Sequence, residues 1–384
     1  MRILKLFIPG DFEDARLYMG HLLAFTADRR LRIVELEPLT HALHERYPMW
    51  RGLLTLAFAR NDWLVTSQFH TLMSNDAFAD SLRAGIDHFP ADGLEVDAVP
   101  NAEELPGFSV EGDVLLDTLF YASRMYIGTE AGFFDFDVDW QSKQVSRSRK
   151  RLDARCVSAS AEFGAVNASC EEEDLFTGYD EFGWSTATDG SQLRHTANHS
   201  LRTAWLRTDL VNYDSLTHSS LLKGRTEKVD ATYGGASRTR KLVTELSVER
   251  ESLDFLLEEL SQRKSLESDQ IQFVGNSSGA FFVNTFERGF FTIIWLRSED
   301  QAKERVIVTE YPGVTGRVVS VHGSGAGVIV ETDFSCHLFS EGSCIPLLDG
   351  EALNVRTFPS SKRYRNIMAV TVEDGVYLIA IVDL

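Results

Sequence analysis

The sequence predicts an all-β protein: a β-propeller of about seven four-stranded antiparallel blades, with a helix-bearing insertion between blades. Three observations carry this. Along the 384 residues, short apolar runs repeatedly answer one another across small polar turns. The turns fall near residues 20, 67, 128, 178, 208, 275, 332 and 373. Several intervals lie near the roughly 40 to 50 residues that mark propeller repeats, whose blades bury their faces only against neighbours. The composition, with 25 Phe against 6 Met, suits strands better than helical bundles. The interval from 178 to 208 is too short for a full blade. Seven or eight blades fit, with seven favoured, and the whole of 1–384 reads as one propeller.

The elements follow in chain order. Ile3 to Ile8 reads as a first strand, placed to complete the last blade after Leu378–Val382. Arg16–Gly20 and Leu23–Thr26 form a hairpin. Residues 38–50, with Pro38 and Pro48, read as a connector. Leu53–Ala59 reads as a buried strand that turns at Asn61 and Asp62 into Trp63–Thr66. Residues 74–107 are polar, with Pro90, Pro100 and Pro106, and read as a loop insertion with a short helix near 76–86. Val114–Tyr121, Arg124–Gly128 and Phe133–Phe136 form the next unit, closed by a basic tip at 146–151. Further hairpins start at Cys156, Asp174 (leading to Gly183–Thr186), Ser200 and Ile271. Three strands follow at 318–321, 328–330 and 337–339. The cleanest hairpin joins Met368–Val372 to Val376–Val382 through Asp374-Gly375, the strongest short-range hairpin signal.

Residues 222–268 differ from the rest. They open polar and basic, with Lys223, Gly224 and Arg225, then Gly234, Gly235, Arg238, Arg240 and Lys241. Over 246–262, Leu253, Leu256, Leu257 and Leu260 recur at i, i+3, i+4 and i+7, which is helical periodicity with a charged opposite face. The segment reads as a flexible basic loop followed by an amphipathic helix, both inserted between blades.

The units Leu53–Thr66 and Val114–Phe136 resemble blades of the WD40-type propellers: an inner strand, a polar turn, a strand ending in small residues, a turn and an outgoing strand. The Gly-His start and Trp-Asp end of that family's repeats are missing here. Trp140 and Trp184 stand near strand ends with no Asp after them. The resemblance implies a rigid platform that contacts other proteins through the loops of its two faces.

Composition limits the function. A formal charge of −19 opposes broad attraction to nucleic acid or membrane. No apolar run approaches the ~18 residues that read as a membrane span. Cys156, Cys170, Cys336 and Cys344 form no CxxC pair, and the first residues lack a secretory leader's apolar core. A cytoplasmic protein with reduced thiols is expected.

Candidate chemistry competes with plainer readings. Gly323–Gly327 resembles a phosphate-binding loop, but strand-like Val328–Val330 follows where a helix is required, so a hairpin turn is expected. His195 and His199 have i, i+4 spacing, within a 187–200 segment that reads as a loop. Cys336 and His337 point to opposite faces of a strand, with Cys336 expected buried and His337 exposed. The acidic run 171–174 and the alternating Asp135, Asp137 and Asp139 read as solvated surface. No catalytic set, metal site or cofactor is assigned.

Three functional readings remain. The first is a non-catalytic scaffold or regulatory subunit of a multiprotein complex. It binds partners through face loops and the 222–268 segment, with Arg147, Arg149, Lys150, Arg238, Arg240, Lys241, Leu253, Leu256, Leu257 and Leu260 as contact residues. The second is an enzymatic propeller, a hydrolase or lyase, with Asp117, His322 and Asp333 as channel candidates. The third is a nucleic-acid-associated subunit using the two basic stretches.

Overall fold

The computed structural model describes residues 1–96, 102–112, 114–170, 174–179, 193–233, 236–267, 270–277, 280–286, 289–296 and 305–382. The acidic residues 171–173, the Gly183–Thr186 strand with Trp184, and residues 187–192 of the 187–200 segment lie outside them.

Among the described residues, seven sheets of four principal antiparallel strands form, five of them from strands consecutive in sequence. This is the strand arrangement of an all-β propeller of about seven blades. The blades divide between two compact units, Gly107–Gly313 and the pair of segments Met1–Pro106 and Val314–Leu384.

Gly107–Gly313 holds four blades. In chain order, blade 2 is Leu115–Tyr121, Arg124–Thr129, Phe133–Asp139 and Gln144–Leu152. Blade 3 is Cys156–Glu162, Ala165–Cys170, Asp174–Tyr179 and Arg194–Ala197. Blade 4 is Arg202–Leu206, Asp209–Tyr213, Ser219–Tyr233 and Ala236–Ser252, and blade 5 is Ile271–Ser277, Ala280–Thr285, Gly289–Leu296 and Arg305–Tyr311. Polar contacts tie the first strands of successive blades. Asp117 accepts the Ala159 N–H at 2.7 Å, Ser160 Oγ lies 2.6 Å from Thr203 Oγ1, and Arg202 donates to the Val274 carbonyl at 2.5 Å. The Arg202 guanidinium also lies over the rings of Tyr213 and Phe273, 4.5 and 4.4 Å from their centroids.

The second unit holds blade 6 (Val318–Ser324, Gly327–Thr332, Ser335–Ser340, Ser343–Asp349), blade 7 and blade 1. Blade 7 joins Asn354–Thr357, Ile367–Val372 and Gly375–Val382 to the N-terminal strand Arg2–Pro9, which pairs antiparallel from Arg2–Val382 to Pro9–Gly375. The expected closure through Ile3–Ile8 is therefore present. Leu4, Leu6 and Ile8 point from it into a large apolar cluster. Asp14 of blade 1 is fully buried and takes a two-point ion pair from Arg356 of blade 7, both contacts 2.9 Å. The Gly323–Gly327 segment is a tight link between two paired strands, as its apolar continuation required.

Blade 1 departs from the expected pattern. Its strands Phe12–Tyr18, His21–Thr26 and Leu31–Glu35 are followed by a helical insertion, and its last strand is only Glu103–Glu104. Leu53–Thr66 is not a hairpin. Arg51–Leu54 and Thr55–Ala59 are continuous helical turns, and Asn61–Val65 is a 3₁₀ turn. Leu53, Leu54, Ala57 and Phe58 are buried at i, i+1, i+4 and i+5, a helical face. A seven-residue apolar run fits a buried strand or a buried helix equally, and here neighbouring helices supply the apolar partners. Leu36–Arg46, Ser67–Met73 and Asp76–Asp87 complete the insertion. Thr66 and Asn75 cap the last two by accepting from the N–H groups of Phe69 and Phe78. Leu94–Glu95 then pairs parallel with the N-terminal strand, covering part of an edge otherwise open to strand addition.

Candidate interaction surface

The basic stretch 147–151 lies in the fourth strand of blade 2, paired with the strand that carries Asp135 and Asp137. Arg149 stands opposite Asp135, and Arg147 opposite Asp137. Directly opposed residues share a sheet face, so the basic and acidic alternations meet. Arg149 and Arg151 donate to Asp135 at 2.8–2.9 Å, and Arg124 reaches Asp137 at 2.8 Å. Asp135 is fully buried and Arg149 mostly so. The expectation of a solvated Asp135 is corrected: three arginines surround it. Lys150 points to the other face, 2.5 Å from Asp153 and over the Phe134 ring. Arg147 remains exposed.

The four leucines face inward. The helix is Asp254–Lys264, with Leu253 at its N-cap. Leu253, Leu256 and Leu260 are buried in a cluster with Phe281, Phe291, Ile293 and Trp295 of blade 5, and Leu257 packs against it. Arg263 donates to the Val306 carbonyl and Lys264 pairs with Glu310 at 2.6 Å, so the last strand of blade 5 also holds the final turn of the helix. The leucine stripe is core, because helical periodicity identifies a buried face without identifying what buries it.

The expected flexible loop is a paired ribbon. Ser219–Tyr233 and Ala236–Ser252 run antiparallel, ending at the pair Tyr233–Ala236. Only Ser219–Leu222 also pair with the preceding strand of blade 4. The base of the ribbon is anchored. Gly224 N–H donates to Asp209 at 2.9 Å, Val243 N–H to the Phe163 carbonyl at 2.8 Å, and Leu246 N–H to Tyr179 Oη at 2.9 Å. A methyl group on Gly224 would lie 2.0 Å from the Thr208 carbonyl oxygen. Beyond Val243, Glu227–Tyr233 pair with Leu242–Ala236, carrying the two strands on for about 23 Å at 3.3 Å per residue.

Register divides the ribbon side chains. Lys228 is directly opposite Lys241, and Asp230 is opposite Thr239, which donates to its carboxylate at 2.7 Å. Val229 is opposite Arg240 and Glu227 opposite Leu242 on the other face. Arg238 stands opposite Ala231. Lys228, Arg240 and Lys241 are exposed. The Gly234-Gly235 dipeptide between two β-compatible runs was the sequence signal for this hairpin.

The channel candidates have local structural partners. Asp117 accepts the N–H groups of Thr118 and Ala159, and Asp333 accepts the N–H of Arg317. His322 contacts Ser320, which also contacts buried Glu331, and His322 Nε2 lies 3.5 Å from Glu331. Cys336 is fully buried opposite Glu331, and burial first, then that carboxylate, pushes its thiol up to about 12. His337 is half-buried rather than exposed, 2.8 Å from Ser335 Oγ. His195 pairs with Asp174 at 2.6 Å. Among the described residues, no three His, Cys, Asp or Glu side chains gather as a metal site, and no helix is long and apolar enough to cross a membrane.

No protein-family model matches the sequence, and no curated protein matches it. Solved structures similar to the chain include the Cps50 (Swd1) β-propeller domain of Myceliophteria thermophila, with 12% identity, 98% of both chains covered and a TM-score of 0.49. The WD40 β-propeller domain of Doa1 is similar at 9% identity and a TM-score of 0.47, covering 99% of this chain and 96% of its own. The computationally designed Ika8 protein is similar at 8% identity and a TM-score of 0.49, with 98% of both chains covered.

Proposed function

We propose that the chain is a non-catalytic interaction scaffold, a cytoplasmic subunit of a multiprotein complex, whose main contact element is the ribbon formed by 225–242. The observation that carries this reading is the ribbon's length beyond its blade. A two-stranded hairpin is marginally stable alone in water, and this one extends well past the anchors at Gly224 and Val243. A partner that covers it supplies the packing it lacks. Arg147 and the loops at the blade ends offer secondary contacts, whereas Arg149 and the four leucines act inside the fold.

The test replaces Lys228–Lys241 by Asn-Gly, a two-residue turn that closes Glu227 onto Leu242. Full chain and variant are tagged, purified from the native host and compared by quantitative mass spectrometry. The reading expects discrete partners with the full chain, reduced at least tenfold with the variant, at an unchanged unfolding temperature. Equal recovery of the same partners contradicts it.

A further inference from the structure

The ribbon places Lys228 directly opposite Lys241, and like charges at directly opposed positions destabilise an antiparallel pair. Both lysines are exposed, and neither makes an ion pair with another described residue. On the same face, the Asp230 carboxylate is engaged by Thr239. Over 223–245 the sequence holds six cationic side chains against three acidic ones, within a chain of net −19. A ribbon that opposes two lysines lacks an anion.

We propose that the Lys228–Lys241 face seats an acidic segment of a partner protein, whose Asp or Glu carboxylates bridge the two ammonium groups. The proposal rests on the scaffold reading and specifies the chemistry of the partner. The sign of the ribbon selects an anion, and the setting selects a short one. Glu227, Asp230 and Glu245 interrupt the cations, and the rest of the chain, at net −22 once the ribbon's +3 is set aside, repels a long polyanion. At physiological salt the Debye length is about 8 Å. A segment of a few residues lying on the ribbon is therefore screened from most of that charge, whereas a duplex longer than the ribbon is not.

The test uses fluorescence anisotropy with a labelled peptide of eight glutamates and, separately, a labelled 16-base-pair DNA duplex, at 150 mM salt. The proteins are the full chain, the variant Lys228→Glu/Lys241→Glu and the control Lys362→Glu, with far-UV circular dichroism to verify the fold. The expected result is saturable peptide binding by the full chain, at least tenfold weaker in the double variant and unchanged in the control. Duplex binding is weaker than peptide binding. Peptide affinity unaltered by the double substitution overturns the proposal, and so does tighter binding of the duplex that the same substitution abolishes. If the shortened ribbon loses its native partners while charge reversal changes nothing, the acidic-segment inference fails and the scaffold reading stands. If shortening leaves the partners in place, the scaffold reading itself fails.

Discussion

Arg149 and Asp135 face one another across the third and fourth strands of blade 2 and form a two-point ion pair, Nε to Oδ1 at 2.9 Å and Nη2 to Oδ2 at 2.8 Å. Arg151 adds a third contact to the same carboxylate at 2.8 Å. Removing one partner of a buried pair leaves a desolvated charge, which costs about 3–5 kcal/mol. Asp135→Ala removes the buried carboxylate that Arg149 and Arg151 share and leaves Asp137 as the remaining anion beside Arg149 and Arg124, so it is expected to lower stability by about 3 kcal/mol. Arg149→Ala leaves Arg151 on the carboxylate and costs less, about 1–3 kcal/mol. Urea midpoints of the two variants check the order; equal midpoints for both and the parent protein contradict it.

The N-terminal strand makes a larger claim. Leu4, Leu6 and Ile8 are each at most 1% exposed. Burying such side chains contributes about 1.5–3 kcal/mol each, comparable in sum to the ~5–15 kcal/mol of a whole domain. A chain lacking residues 1–9 is expected to be insoluble or to lose its cooperative thermal transition. A soluble, cooperatively melting truncation contradicts the closure.

Gly224 lets the ribbon leave its blade. Gly224→Ala drives a methyl group into the Thr208 carbonyl, an overpacking that costs about 1–3 kcal/mol. Because the clash is at the ribbon's base, hydrogen exchange is expected to accelerate over 219–226 and 242–247 while blade 7 is unchanged. Exchange unaltered at the base contradicts the anchoring role.

Charge on the ribbon has opposite effects on stability and contact. Lys241→Glu converts a like-charged cross-strand pair into an attractive one, a gain of up to about 1 kcal/mol. Amide exchange at Lys228 and Val229 in the free protein is expected to slow several-fold, while acidic-peptide binding weakens. Faster exchange in this variant contradicts the direct opposition of the two lysines.

Two histidines set a pH dependence. Burial holds the pKa of His44 and of His337 below the ordinary 6.5, Arg51 and His41 adding to the effect at His44 and Asp349 opposing it at His337. Each is held neutral in the fold but takes up a proton more readily when unfolded, so the unfolded chain binds more protons as pH falls through 6.5. Stability is therefore present above that value and declines below it. His44→Asn and His337→Asn together are expected to flatten the unfolding temperature between pH 7 and 5.5. An unchanged slope contradicts the assignment.

Much of the architecture was legible because strand period and turn chemistry are local. The Asp374-Gly375 hairpin, the 115–139 unit and the closing strand at 2–9 all follow from alternation and small turn residues. The helical insertion was not legible, because Leu53–Ala59 is too short and too uniformly apolar for its period to decide. The site was harder still. Arg149 read as a contact residue until register set it opposite Asp135, and Leu256 and Leu260 until blade 5 covered them. Pairing is a long-range property, and charge or periodicity in one segment does not identify its partner. The ribbon was signalled by Gly234-Gly235, but the basic residues around it read as a solvated loop.

On the scaffold reading, the ribbon, rather than the arginine stripe or the leucine helix, is the surface that a partner covers. Amine-reactive footprinting of the complex against the free chain tests it most directly. Lys228 and Lys241 are expected to lose reactivity at least fivefold on assembly, while Lys264, paired with Glu310, keeps its free-chain value. Equal labelling of Lys228 and Lys241 in the two states contradicts it.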